Sequence, residues 1–205
     1  MEKQVPKTAY QFEKYCGIDR WSSYYYQLRE ILAQAPVSVL EVGVGDHVIG
    51  DYLKGNTPVN YRSLDIASDL HPDIVGSVEQ IPLPDEDVDI VVAFEILEHL
   101  PFEKFEGALQ ELSRVAKNSV IISLPHFGPS IRFECKIPFL PTLRFACKVP
   151  FPKAHVFDGQ HYWEIGKQGY PLTRITQILE KHFLIKKEFV PFENQYHHFF
   201  ILQKK

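Results

Sequence analysis

The stretch Val37–His47, VSVLEVGVGDH, decides how the rest of the chain is read. Its apolar residues form a short buried-strand pattern that ends in Glu41, and Gly43 and Gly45 follow with one residue between them. A strand that runs straight into a glycine turn offers bare backbone to a ligand, because glycine has no Cβ to hold it off. Glu41 adds a charged acceptor just before the turn. The combination calls for a small polar ligand.

Outward from that turn the chain alternates strand and helix. Asp19 to about Ala35 reads as a helix capped by Asp19, with Tyr24, Leu28, Ile31 and Leu32 on one face. His47–Lys54 suits a helix closed by Gly55 and Asn56. Strands follow at Tyr61–Ile66, Asp73–Gly76 and Asp87–Phe94, then an amphipathic helix at Phe102–Ala116 and a strand at Ser119–Leu124. Pro171–Phe183 is a further helix, and Leu184–Val190 and His197–Leu202 are strands joined by a short link, hence antiparallel neighbours. This order argues for an α/β fold: a mostly parallel sheet with helices on both faces, whose ligands bind beyond the carboxyl ends of the strands.

The bulk numbers agree with one soluble domain. The chain has 205 residues, 45% apolar and 23% charged, with a net charge of −4. That charge does not suggest a nucleic-acid binder. No apolar run approaches membrane-spanning length, and the N-terminal residues lack the pattern of a secretory signal. Cys16, Cys135 and Cys147 lie far apart and read as reduced thiols in a cytoplasm.

Residues 126–169 interrupt the alternation. They are rich in proline and aromatics, which break up any long helix. Long insertions of this kind are usually functional, so the segment reads as a lid or substrate-recognition element within a single domain spanning 1–205.

Asp65 ends the second strand about twenty residues past the glycine turn, the spacing at which a carboxylate holds the vicinal hydroxyls of a ribose. With Glu41 it favours a nucleoside. Val48 stands where GxGxxG would place its third glycine, and there is no GK[ST] loop, so a dinucleotide or a phosphate-loop nucleotide is disfavoured.

EVGVGDH, LDIAS, GSVEQIPLPDEDVDIVVAFEILEHLP and ISLP together resemble the class I S-adenosylmethionine (SAM)-dependent methyltransferases, most of all the small type 11 methyltransferase domain. The resemblance covers about Ser38 to Leu124. It implies a Rossmann-like, seven-stranded, mostly parallel sheet with an antiparallel C-terminal strand pair, and SAM as cofactor. By position, Glu41, Gly43 and Gly45 would meet the methionine part, Asp65 the ribose, and Ile66, Ser77, Val78 and Glu79 the adenine. Glu95 would sit near the sulfonium. His47 stands where many members have a small residue, and Ser77 where many have Asp. The late segment GQHYWEIGKQGYPLTRITQILEKHF also resembles the family, in which a His or aromatic residue there often faces the substrate.

SAM carries its methyl on a positive sulfur, so an enzyme of this kind aligns a nucleophile and excludes water. His126, just after the fifth strand, and His161, placed by resemblance, are the candidate catalytic residues, since imidazole titrates near neutrality. His155 and Trp163 are candidate substrate contacts. His99 is expected to order the loop after the fourth strand, and His197 and His198 to be structural. Asp158, Glu164, His155 and His161 could be arranged around an ion, but ordinary polar loop roles are the expectation, hence no metal. The place of a [DNS]PP[YFW] motif reads AFEI, and no Pro-Cys pair occurs, so nucleic-acid methylation is not expected.

Residues 131–153 carry Arg132, Lys136, Arg144, Lys148 and Lys153 against Glu134, interleaved with apolar residues. They read either as a folded cap with its own core or as a surface for an acidic molecule or an anionic membrane. The expected activity is methyl transfer to a small, possibly acidic acceptor at oxygen or nitrogen. The alternatives are methylation of a lipid-linked or glycan precursor at a membrane, and a non-catalytic partner subunit.

Overall fold

The computed structural model describes residues 5–205. Its elements are α1 (Phe12–Tyr15), α2 (Ile18–Leu32), β1 (Ser38–Val42), α3 (Val48–Asn56), β2 (Asn60–Asp65), β3 (Ile74–Val75), β4 (Val88–Phe94), α4 (Phe102–Val115), β5 (Ala116–Pro125), β6 (Ser130–Cys135), β7 (Leu143–Lys148), α5 (Leu172–His182), β8 (Phe183–Phe189) and β9 (His197–Lys204). Seven strands form one sheet in the order β3-β2-β1-β4-β5-β9-β8. β1 to β5 run parallel, and β9 enters antiparallel between β5 and β8. The expected fold class and the closing antiparallel pair are therefore present.

Side chains alternate across the strands, so each strand feeds two cores. Leu40, Val42, Val91, Ala93, Val120 and Ile122 pack with α4 and α5 through Phe105, Leu109, Leu112, Ile175 and Leu179. Val39, Ile90, Val92 and Ile121 face the other way, against Tyr24 and Ile31 of α2 and Ile49 and Leu53 of α3. That is why these strands read as near-continuous apolar runs. Each fully buried aliphatic side chain contributes roughly 1.5–3 kcal/mol.

Strand order reverses at β1, whose neighbours are β2 and β4. The reversal opens a crevice beyond the carboxyl ends of these strands, and the crevice holds the site.

The segment 126–169 is not uniform. β6 and β7 form a separate antiparallel hairpin where the prolines suggest broken chain. Residues 161–165 instead return to the main core. Phe127 N–H donates to Ile165 O at 2.8 Å, Ile165 N–H donates to Pro125 O at 3.0 Å, and Trp163 is fully buried. Among the described residues no helix is long and apolar enough to cross a membrane.

Candidate active site

The glycine turn after β1 is held by backbone. Gly43 N–H donates to Leu64 O at 2.7 Å, and Gly43 has φ +85°. A Cβ at Gly43 would lie 2.0 Å from Ile96 Cδ1, so the room there is filled by the loop after β4. At Gly45, with φ +52°, a Cβ would meet only the Tyr10 ring at 3.7 Å and the Tyr15 hydroxyl at 3.9 Å, so that side of the turn is open. His47 takes a left-handed conformation, φ 67°, at the start of α3, and its side chain does not line the cavity.

Asp65, at the end of β2, clamps the turn. Its Oδ2 accepts from Val44 N–H at 2.9 Å and its Oδ1 from Ala67 N–H at 2.8 Å. Glu41 is wholly buried and accepts from the Tyr61 hydroxyl. Burial pushes its carboxyl up to about 8, against the opposing pull of that hydrogen bond.

These residues face a cavity of about 430 Å³, a size usual for small-ligand sites. Gly43, Val44, Gly45, Asp65, Ile66 and Leu70 line one part of it. Glu95, Glu98, His99, His161, Tyr196 and His197 line another. Glu95, just past β4, has φ 54°, and its Oε2 lies 3.7 Å from His197 Nε2. Burial lifts its carboxyl to about 7 although Arg20 pulls the other way. Burial, aided by Glu95, holds Glu98 well above the usual carboxylate range. Burial would also raise Glu164, but hydrogen bonds from His161 and Tyr196 outweigh it and hold Glu164 low.

The N-terminal region covers the glycine turn. Tyr10 and Tyr15 meet edge to face at 4.9 Å, and the Arg20 guanidinium sits 4.3 Å from the Tyr15 ring centre. The Tyr24 hydroxyl donates to Asp46 Oδ2 at 2.6 Å. Burial pushes the Tyr15 phenol up to about 12, so it stays a neutral donor. Sequence reasoning missed this wall. Tyr24 was placed on the buried face of its helix, but Tyr10 and Tyr15 precede any periodic pattern.

Residues 40–124 match the family model of a methyltransferase domain. Over these residues the chain carries a methyltransferase domain. A comparison with curated protein sequences gives no match. Among solved structures, protein PH0226 from Pyrococcus horikoshii OT3 is similar at a TM-score of 0.58 and 16% identity, covering 98% of this chain and 100% of that one. The 1,6-didemethyltoxoflavin-N1-methyltransferase of Burkholderia thailandensis, crystallised with 1,6-didemethyltoxoflavin and S-adenosylhomocysteine, is similar at 0.63 and 13% identity, covering 97% and 84%. Magnesium protoporphyrin IX methyltransferase (ChlM) from Synechocystis PCC 6803, with bound SAM, is similar at 0.56 and 15% identity, covering 100% and 87%. At these identities the likeness is one of fold.

The methyltransferase domain takes SAM as cofactor, and the cavity's chemistry fits it. Five acids, Glu41, Asp46, Asp65, Glu95 and Glu98, face the cavity against Lys14 and Arg20. A cavity lined by acids suits a ligand with a positive sulfur, whose charge would draw the buried carboxyls toward their ionised form. Asp65 keeps lone pairs for a diol beyond the two backbone bonds it accepts. Ile66, Ala67 and Leu70 give an apolar wall beside it.

The structure departs from several sequence expectations. Ser77, Val78 and Glu79 do not line the cavity. Ser77 Oγ accepts from Glu79 N–H, Val78 is buried under α4, and Glu79 pairs with Lys104 at 2.7 Å, so this turn folds on itself. Trp163 is core: its Nε1 donates to Leu100 O at 3.1 Å and its ring packs on Phe102 and Phe105, so it cannot touch substrate. His126 also lies off the cavity. Its ring stacks on His198 with Nδ1 atoms 2.9 Å apart, and burial with His198 and Lys148 nearby lowers it to about 4. His155 hydrogen-bonds through Nε2 to His161 O at 2.7 Å and supports the loop. Glu41, Gly43, Gly45, Asp65, Ile66, Glu95 and His161 do reach the cavity. So does His197, expected from sequence to be structural, because β9 turns His197 and His198 to opposite faces.

Proposed function

We propose that this SAM-dependent methyltransferase transfers its methyl group to a small-molecule acceptor at oxygen or nitrogen by in-line displacement. The observation that carries the reading is that Glu95, His161, Tyr196 and His197 line the same cavity as the glycine turn, Tyr10 and Tyr15. SAM supplies an electrophilic methyl on a positively charged sulfur. Asp65 holds the ribose, and the buried Glu95 offsets the sulfonium charge. His161 is fixed by Glu164, with Nδ1 3.2 Å from Oε1, and orients the acceptor. The tyrosines exclude water. Three unpaired cysteines support a cytoplasmic setting.

Calorimetry with S-adenosylhomocysteine tests the cofactor half. Asp65→Ala removes charge-assisted hydrogen bonds worth roughly 2 kcal/mol, so affinity falls about 30-fold. No binding by the unsubstituted protein would overturn the reading, and unchanged binding by the variant would overturn the role of Asp65.

A second reading, in which the acceptor sits in an anionic membrane, rests on the β6–β7 hairpin. Register places Phe133 opposite Phe145 and Ile131 opposite Cys147, giving one apolar face. Ile131, Phe133, Leu143 and Phe145 are all exposed, and at the tip Phe139 is fully exposed. The apolar residues therefore do not form a core of their own. The cations divide. Arg132 and Arg144 reach Glu193 of the main domain and Lys148 reaches His126 O, while Lys136 and Lys153 remain at the surface.

A further inference from the structure

Glu98, His99 and His161 present one donor atom each, all within 4.8 Å of one another, on the wall of the cavity. Glu98 follows β4 in a short turn of helix and has no exposed surface. Neither of its carboxylate oxygens has a hydrogen-bond partner among the described residues. A buried carboxylate in that condition is costly unless something positive meets it.

The two imidazoles are oriented toward it. His99 Nδ1 lies 3.1 Å from Gln160 O, and a carbonyl only accepts, so the proton is on Nδ1. His161 Nδ1 lies 3.2 Å from Glu164 Oε1, which also accepts from the Tyr196 hydroxyl at 3.0 Å. In both rings Nε2 is then the lone-pair nitrogen. Each Nε2 stands 3.9 Å from Glu98 Oε1. Two lone pairs and a carboxylate thus face one another across one small space. Metal-bound histidines are held in this way, with the second ring nitrogen donating to a carboxylate or a backbone carbonyl.

We propose that Glu98, His99 and His161 bind a divalent cation of the Mn²⁺, Co²⁺ or Zn²⁺ type, which holds an oxygen of the acceptor. Two imidazoles and one carboxylate favour these ions over Mg²⁺ or Ca²⁺, and they leave coordination positions open toward the cavity. Ligand bonds of about 2.0–2.2 Å require the three donors to close in slightly. The acceptor class is then a hydroxyl compound, best one with a neighbouring oxygen that can chelate. This deepens the proposed function and rests on the cavity being the acceptor site. It also changes the expectation from sequence that no metal binds. Asp158 and Glu164, the acids the sequence suggests, form a second such group with His161, but Glu98, in the loop after β4, completes the one that lines the cavity.

Calorimetry with MnCl₂ and electron paramagnetic resonance of bound Mn²⁺ test the site without an activity readout. One equivalent is expected to bind, with affinity falling at least 30-fold in both Glu98→Gln and His161→Asn and staying unchanged in His126→Asn. Thermal melts show which variants are folded, and either of the first two suffices. No bound Mn²⁺, or binding that both variants retain, overturns the site. S-adenosylhomocysteine binding, measured on the same samples without metal, separates the two readings. If it persists while Mn²⁺ fails to bind, the cation site alone is wrong; if it too is absent, the cofactor reading also falls.

Discussion

Glu41 has its carboxyl wholly inside the protein, so its proton ties stability to pH. Its folded value of about 8 lies above the ordinary value of 4.5, chiefly through burial. The folded state therefore favours the neutral acid. That stability is fully present below about pH 4.5 and is lost as pH rises toward 8, at roughly 1.4 kcal/mol per unit. Glu41→Gln keeps the shape without the proton. Its unfolding midpoint should fall less between pH 5 and pH 8 than that of the unsubstituted protein, by several degrees in a thermal melt. Parallel profiles for the two proteins would remove this assignment. At this scale the sequence was partly legible. Gly43 and Asp65 stand in patterns whose spacing follows from backbone geometry, and His161 is placed only by the family resemblance. Glu98 stands in no such pattern, since its burial depends on residues 160–165 folding back against the loop after β4. Trp163 misled because an aromatic near a site and an aromatic in a core look alike along the chain.

The hairpin shows how an element can hide in its own composition. Ile131, Phe133 and Cys135 alternate with Arg132 and Glu134 as strands do, and Leu143 and Phe145 flank Arg144 in the same way. Pro138 and Pro141 between them suggested broken chain, yet they occupy the tip, where no ladder bond is lost. The helices were clearer, because α4 and α5 each present one apolar stripe to the same core. An exposed apolar ribbon needs a purpose, since contiguous patches of this kind mark interaction surfaces. If that surface is an anionic membrane, the protein should float with vesicles containing phosphatidylglycerol. Phe139→Ser together with Leu140→Ser should cut the bound fraction at least fivefold, because burying each such side chain is worth roughly 1.5–3 kcal/mol. Equal recovery of both proteins would exclude the tip as the anchor, and no flotation of either would exclude the membrane.

The whole molecule separates a part that holds the cofactor from a part that reaches outward. Strand order reverses at β1, so the cofactor crevice depends on β1, β2 and β4, all at the centre of the sheet. This much followed from the alternation of strand and helix, as the reversal is how parallel sheets place ligands. The hairpin's backbone joins that body at its base. Val149 N–H donates to Pro129 O at 2.9 Å, so the two ends of the hairpin lie side by side and a short linker can join them. Its remaining ties are Arg132 and Arg144 to the loop around Glu193 and Lys148 to His126 O and Gly128 O. The exposed pairs among them contribute about 1 kcal/mol or less each. Replacing residues 130–148 with a few glycines and serines should therefore lower the melting temperature by only a few degrees. Affinity for S-adenosylhomocysteine should stay within about threefold, and saturating ligand should still raise the melting temperature, because ligand that binds only the folded state stabilises it by mass action. Vesicle binding should be lost altogether. If the shortened protein instead fails to melt cooperatively or no longer binds S-adenosylhomocysteine, the hairpin is a working part of the core and the division into two parts is wrong.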